Sequence, residues 1–269
     1  MQKGIKFIFL LVAAGSILAC GGGTDSKDPE WNLIWSDEFE GPSGQSPDTS
    51  KWVFDIGTDW GNRQLEYDTG RPENVSLDGD GNLAIVAIEE SYAGQSYTSA
   101  RIKTQDKFES AFGRFEARMK MPYGQGLWPA FWLLGANFEE AGWPQCGEID
   151  IMEYRGQEPT IIHGTIHGPG YSGSQGIGSS YVLSNARFDT AFYTFAVEWD
   201  LNRIQWFVDD EPYQTITAQD VPGEWVYNHP FFIILNLAVG GGYVGSPDAN
   251  TQFPQTLLVD YVRVYEQAN

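Results

Sequence analysis

From residue 31 to residue 267 the chain alternates apolar and polar residues in short runs, each ended by Gly, Pro, Asn or Asp. No helical period of about 3.6 residues persists over a useful length. Period-2 runs separated by turn residues dictate half-buried strands, and many such strands in one chain build a sandwich or barrel. The expected strands are Leu33–Asp37, Val75–Leu77, Leu83–Ala87, Ser99–Thr104, Gly113–Met121, Phe131–Leu134, Glu148–Glu153, Ile161–His167, Phe192–Asp200, Arg203–Val208, Glu211–Ile216, Phe231–Val239 and Leu257–Tyr265. Asp200-Leu201-Asn202 and Asp209-Asp210 read as hairpin turns between neighbouring strands. Two longer loops, 55–73 and the Gly- and Ser-rich 168–184, are placed to rim a cleft. Neither an internal repeat nor a second-domain linker follows residue 31.

The run Gly147-Glu148-Ile149-Asp150-Ile151-Met152-Glu153-Tyr154 puts three carboxylates on an otherwise apolar strand. Alternation aims Glu148 and Asp150 to one face and Ile149 and Ile151 to the other, so Met152 would be the next residue on the acidic face. One extra residue restores Glu153 to that face, and Met152 is the natural bulge. Two Glu on one face are the equipment of a retaining glycosidase, one attacking the sugar and the other exchanging protons, with about 5–5.5 Å between carboxyls. Two other readings stay open on these residues alone. A sheet edge can alternate Ile with solvated acids, and oxygen-rich clusters suit calcium, although calcium loops favour irregular backbone.

Residues 1–19 carry Lys3, Lys6 and the apolar run Phe7–Ala19, a secretory signal, and Cys20 follows at a bacterial lipoprotein-like cleavage box. Residues 20–30 read as a lipidated cysteine and flexible tether, and 31–267 as one catalytic-sized domain. With Cys20 lipidated, Cys146 has no disulfide partner, and a buried, inert thiol is the better reading of it. The formal charge of −20, two units more negative without the signal, disfavours nucleic acid and polyanionic substrates and fits neutral matter. The expected protein is an exported monomer, held to a bacterial outer membrane only through its lipid or otherwise secreted. Its ten Trp, thirteen Tyr and sixteen Phe supply rings for sugar faces as well as for a core.

Several segments together carry a specific resemblance: Trp35–Gly41, Trp60–Tyr67, Arg71–Val75, Gly126–Gly135, Gly147–Gly156, Ile166–Gly173 and Val259–Tyr265. They resemble glycoside hydrolase family 16, and within it the bacterial laminarinases, endo-β-1,3-glucanases. The resemblance implies an all-β jelly-roll β-sandwich of two antiparallel sheets with a substrate cleft on the concave face. It implies Glu148 as nucleophile, Asp150 as its assisting acid and Glu153 as general acid/base. The extra Met152 is the laminarinase form of the motif.

Trp128 and Trp132 lie four residues apart and both can face the cleft. Asn62 and Arg71 sit in the first long loop, where an amide and a guanidinium reach sugar hydroxyls. The resemblance places His167 near the acid/base; Trp60, Tyr67 and Trp143 are weaker candidates. No cofactor is expected for catalysis. The family often binds one structural calcium on the convex side, which would here take the Asp260 carboxylate and backbone oxygens of Gly81 and of the Glu38–Gly41 turn. The run from Asp78 to Glu89 imitates a calcium-hand loop, but Leu83 stands where that loop needs its turning glycine.

The function expected is retaining endo-hydrolysis of internal β-1,3 bonds in laminarin-like glucans. Mixed-linkage β-1,3-1,4-glucan or a galactan is the alternative substrate. A non-catalytic glycan-binding protein is the alternative class, disfavoured because a binder has no need of both glutamates.

Overall fold

The computed structural model describes residues 30–268. The signal segment, Cys20 and all but the last residue of the tether lie outside the described residues. The strands, in chain order, are β1 (Trp31–Asp37), β2 (Val53–Asp55), β3 (Glu66–Asp68), β4 (Val75–Leu77), β5 (Leu83–Tyr92), β6 (Gln95–Ser99), β7 (Arg101–Lys103), β8 (Gly113–Lys120), β9 (Leu127–Gly135), β10 (Glu148–Tyr154), β11 (Ile161–His167), β12 (Ile177–Val182), β13 (Tyr193–Trp199), β14 (Arg203–Val208), β15 (Glu211–Thr217), β16 (Phe231–Val239) and β17 (Gln255–Gln267). One short helix, α1 (Phe138–Ala141), sits in the connection from β9 to β10.

Two sheets form. The larger runs β15-β14-β13-β8-β17-β5-β6-β3, with β1 on β17 and β4 on β5; the smaller runs β12-β11-β10-β9-β16-β7-β2. Among the described residues, β3 and β6 are the one pair of strands in parallel. Alternation decides which faces meet. Phe115, Ala117 and Met119 of β8 and Ile149, Ile151 and Met152 of β10 belong to one buried cluster between the sheets. Strand β16 is buried along its whole length. One of its faces joins that cluster, while Phe232 and Ile234 pack with Leu134, Cys146 and Trp132 beneath the opposite, cleft-bearing face. This is a two-sheet sandwich, one of the two architectures that the alternation allows and the one that the resemblance implies.

The Asp209-Asp210 turn joins β14 to β15 with φ of 48° and 64°, the left-handed pair that a two-residue hairpin needs. The expected loops are not wholly irregular: 55–73 contains β3 and 168–184 contains β12. The expected strand 99–104 is divided, with Ser99 ending β6 and Arg101 opening β7 on the other sheet.

The bulge in β10 is present. Against β9, Asp150 pairs with Trp132 and Met152 with Phe131, so Ile151 is skipped; against β11, Asp150 pairs with Thr165 and Glu153 with His163. Ile151 and Met152 thus share the place opposite Gly164, both are buried, and Glu153 returns to the face of Glu148 and Asp150. Trp206, from the other sheet, donates its indole N–H to the Asp150 carbonyl at 2.8 Å. Gly164 makes room for that ring, since a Cβ there would lie 2.6 Å from Trp206 Cδ1. Trp206→Phe leaves this buried carbonyl without its donor and should cost about 1–3 kcal/mol of stability in urea unfolding.

Candidate active site

Strand β10 carries Glu148, Asp150 and Glu153 into a cleft across the smaller sheet. On the side of β9, β16 and β7 the cleft has a volume of about 470 Å³ and is lined by Trp60, Asn62, Arg101, Trp128, Trp132 and Trp143 as well as the three acids. On the side of β11 and β12 it continues into a space of about 720 Å³ with a smaller-residue wall, including Thr165, Gly176, Gly178, Ser179 and Ser180. Asn62, Trp128, Trp143, Glu148 and Glu153 border both parts, so the groove passes over the acids without ending there.

Each glutamate is held by an indole. Trp143 Nε1 donates to Glu148 Oε2 at 3.0 Å, and Trp128 Nε1 donates to Glu153 Oε1 at 3.0 Å. Burial pushes the Glu153 carboxyl up to about 8, with the charge of Asp150 adding to the effect. Glu148 and Asp150 are raised in the same direction, first by burial. Three carboxyls this close in a low-dielectric site cannot all ionise at neutral pH, so the cluster holds protons that solvent-exposed acids would release.

Asp150 is buried, and His167, paired with Glu148 across β10 and β11, brings Nε2 to 3.3 Å from Asp150 Oδ2 and 3.7 Å from Glu148 Oε1. The histidine therefore sits beside Glu148 and Asp150; the histidine paired with Glu153 is His163. Trp132 donates to Asn236 Oδ1 at 2.8 Å, which fixes its ring in the cleft wall.

Residues 55–263 match Glycosyl hydrolases family 16. The chain belongs to glycoside hydrolase family 16. It is 41% identical to a β-glucanase of Rhodothermus marinus, over 98% of this chain and 95% of that one. The solved endo-β-1,3-glucanase of Pyrococcus furiosus superposes with a TM-score of 0.85 at 46% identity, covering 90% of this chain and 96% of its own. The laminarinase catalytic domain of Thermotoga maritima MSB8 gives 0.84 at 44% identity, covering 89% of this chain and 100% of its own. The two sheets of the glycoside hydrolase are thus those of the jelly-roll laminarinase structures.

Among the substrate residues expected of the hydrolase, Asn62, Trp128, Trp132 and His167 line the groove. Arg71 does not. Its guanidinium pairs with Glu90, donates to Asn74 Oδ1 at 2.8 Å and lies 4.6 Å from the Tyr92 ring centroid, bracing β5 and β6 away from the groove lining. The guanidinium that does line the groove is Arg101, between the rings of Trp60 at 5.2 Å and Trp132 at 4.9 Å and 3.0 Å from Asp55. Sequence reasoning missed it because an Arg at the start of a short strand reads as a solvated outward residue.

Tyr243 was missed as well. Its ring packs 4.8 Å from Trp128 and lies under the Arg155 guanidinium at 4.1 Å, so it backs the indole that holds Glu153. Of the weaker candidates, Trp60 and Trp143 reach the groove, while Tyr67 packs on Tyr92. Cys146 is buried, and burial pushes its thiol up to about 11, which makes it inert.

Of the groups expected to hold calcium, the Asp260 carboxylate and backbone oxygens of Gly81 and of the Glu38–Gly41 turn, the carboxylate has a guanidinium beside it in this arrangement. The Asp260 carboxylate is paired with Arg118, and Glu38 receives two bonds from Arg263 at 3.0 and 2.7 Å, so both charges are already met by guanidinium. Near Gly81, Asp78 spends its carboxylate on its own turn, accepting from Asp80 N, Asn82 N and Asn82 Nδ2.

Proposed function

We propose that this family 16 enzyme is a retaining endo-β-1,3-glucanase acting on laminarin-like glucans by double displacement. Glu148 attacks the anomeric carbon. Glu153 protonates the leaving oxygen and then removes a proton from the incoming water. The observation that carries this reading is the pair of glutamates brought to one face by the bulge, each with one oxygen held by an indole, in a groove open past both of them.

The chemistry follows from the two environments. Glu148 Oε1, the oxygen that Trp143 leaves unbonded, is free to form the glycosyl ester. Glu153, raised to about 8, keeps a proton at neutral pH as a general acid must. Asp150 and His167 flank Glu148 and position it, and Asn62, Trp128 and Trp132 hold the sugar chain. An endo mode agrees with a groove that continues on both sides of the acids, and a neutral polymer agrees with the strongly negative chain. The relatives named above include proteins described as laminarinase and endo-β-1,3-glucanase, which supports β-1,3 linkage over mixed-linkage glucan or galactan. Export, lipid attachment at Cys20 and a monomeric state belong to the same proposal and rest on residues 1–30 and on the charge.

Incubation with laminarin should release short β-1,3 oligosaccharides from the earliest time points, read by chromatography. Release of glucose alone, or retention of the polymer without cleavage, would contradict an endo-hydrolase. Glu148 must be ionised and Glu153 protonated, so activity should fall on the acid side as Glu148, itself raised by burial, takes up its proton, and fall again as pH rises through about 8 and Glu153 loses its own. A pH profile of kcat/KM measures both limbs.

A further inference from the structure

Two carboxylates and an imidazole nitrogen face one another between β10 and β11 at distances longer than a good hydrogen bond. Glu148, Asp150 and His167 each offer a ligand atom within 4.8 Å of the other two, with His167 Nε2 at 3.7 Å from Glu148 Oε1 and 3.3 Å from Asp150 Oδ2. Trp143 occupies the other oxygen of Glu148. Asp150 Oδ2 is buried with no hydrogen-bond partner, on a side chain only 6% exposed. We propose that Glu148, Asp150 and His167 form a reversible binding site for a divalent transition-metal ion of the zinc type, and that the bound ion competes with the sugar for the cleft.

The spacing suits such an ion. Zinc at about 2.0–2.1 Å from each ligand in a tetrahedron sets ligand atoms about 3.3 Å apart. His167 Nε2 already stands 3.3 Å from Asp150 Oδ2 and needs to close by a few tenths of an ångström on Glu148 Oε1, now at 3.7 Å. Imidazole nitrogen and carboxylate oxygen are both zinc ligands, and three protein ligands make an open site in which a fourth position stays with water or substrate. Here that position faces the groove, since the Glu148 side chain keeps 17% of its surface exposed.

Calcium and magnesium fit less well. Calcium takes six to eight oxygens and magnesium a near-ideal octahedron with retained waters, whereas this face offers two oxygens and a nitrogen. The imidazole ring is placed by packing: Gly176 lies so close that a Cβ there would stand 2.7 Å from Nδ1, and Nδ1 itself has no hydrogen-bond partner. A ligating histidine without that outer bond binds metal less tightly than one whose second nitrogen is held, which makes the site reversible.

Binding of the ion does not depend on the catalytic roles assigned above; its inhibitory effect does, because the ion takes the oxygen that Glu148 needs for attack. The test titrates the metal-free protein with zinc sulfate by calorimetry. One site is expected in the wild type. His167→Gln and Asp150→Asn should each weaken it by at least about 10-fold, the low end of what disturbing even an outer-shell partner costs. His163→Gln is the control, because His163 Nε2 is 3.8 Å from Glu158 and is the rival place for an ion. Laminari-oligosaccharide should raise the apparent Kd for zinc, and chelator should restore hydrolysis.

Undiminished zinc affinity in both His167→Gln and Asp150→Asn, or loss of it in His163→Gln alone, would overturn the site. Absence of any saturable binding to the wild type would do the same. Zinc bound at these residues with laminarin hydrolysis unimpaired would leave the site standing and refute the role of Glu148.

Discussion

Glu148→Gln should reduce laminarin hydrolysis on the order of 10⁴-fold or more, the scale of loss when an enzyme is deprived of its covalent nucleophile. An amide oxygen can still accept the Trp143 indole N–H now 3.0 Å from Oε2, so the strand and its indole clamp should persist. What is lost is the charge that forms the glycosyl ester. The same substitution should stabilise the fold in a pH-dependent way.

The Glu148 carboxyl is raised from 4.5 to about 8, so the folded chain binds its proton more tightly than the unfolded chain does. Such a group leaves stability intact below the unfolded value near 4.5 and diminishes it as pH climbs toward about 8. Glutamine has no charge to bury. The mutant should therefore melt at a higher temperature than the wild type at pH 8, with the difference shrinking toward pH 5, as differential scanning calorimetry would read. A melting temperature lowered at both pH values would show that Glu148 has a structural role that this account does not give it.

Replacement of Glu153 should separate the two half-reactions. A glucan leaving group is a poor one and needs a proton, so Glu153→Gln should slow laminarin cleavage by about 10²–10⁴-fold. An aryl glycoside with an acidic phenol needs no such proton. Its phenol should leave in a fast first turnover, after which the glycosyl-enzyme waits because no base activates water. In Glu153→Ala, azide can enter the space left by the carboxylate and intercept the intermediate, giving a β-glycosyl azide. An α-azide from this variant would reverse the assignment of the two glutamates, because it would mean direct displacement on the face opposite the leaving group.

The acidic strand was legible because its chemistry disturbs a simple pattern. Strict alternation could not put Glu148, Asp150 and Glu153 on one face, and the extra residue needed to do so lies where the register shifts, at Ile151 and Met152. Trp128 and Trp132 were legible for the same reason: even spacing on a strand fixes a shared face. The run Phe231–Val239 carries enough β-branched and aromatic residues to be read as a strand at its observed bounds.

What was not legible depends on partners far away in sequence. β12, Ile177–Val182, is rich in Gly and Ser and gains its strand form from pairing with β11. β3 has three residues and lies parallel to β6, a pairing that no hairpin signal announces. Arg71 and Arg101 have the same side chain, and position in the chain suggested the loop residue as the one that meets sugar. Tertiary packing decides otherwise, since Glu90 and Asn74 engage Arg71 while Trp60 and Trp132 hold Arg101 at the groove. The His167 position relative to the acids likewise follows from strand register, which places it across from Glu148.

The most direct test of the central claim is mass spectrometry of the enzyme trapped with an activated 2-deoxy-2-fluoro-β-laminaribioside, followed by peptide mapping. The fluorine destabilises the oxocarbenium-like transition state of both steps, while the good leaving group keeps the first fast enough to accumulate ester. One added glycosyl mass on the Glu148 carboxylate, absent in Glu148→Gln, is the predicted result. Label on Glu153, or turnover without any covalent species, would contradict the assignment of Glu148 as the nucleophile of a retaining enzyme.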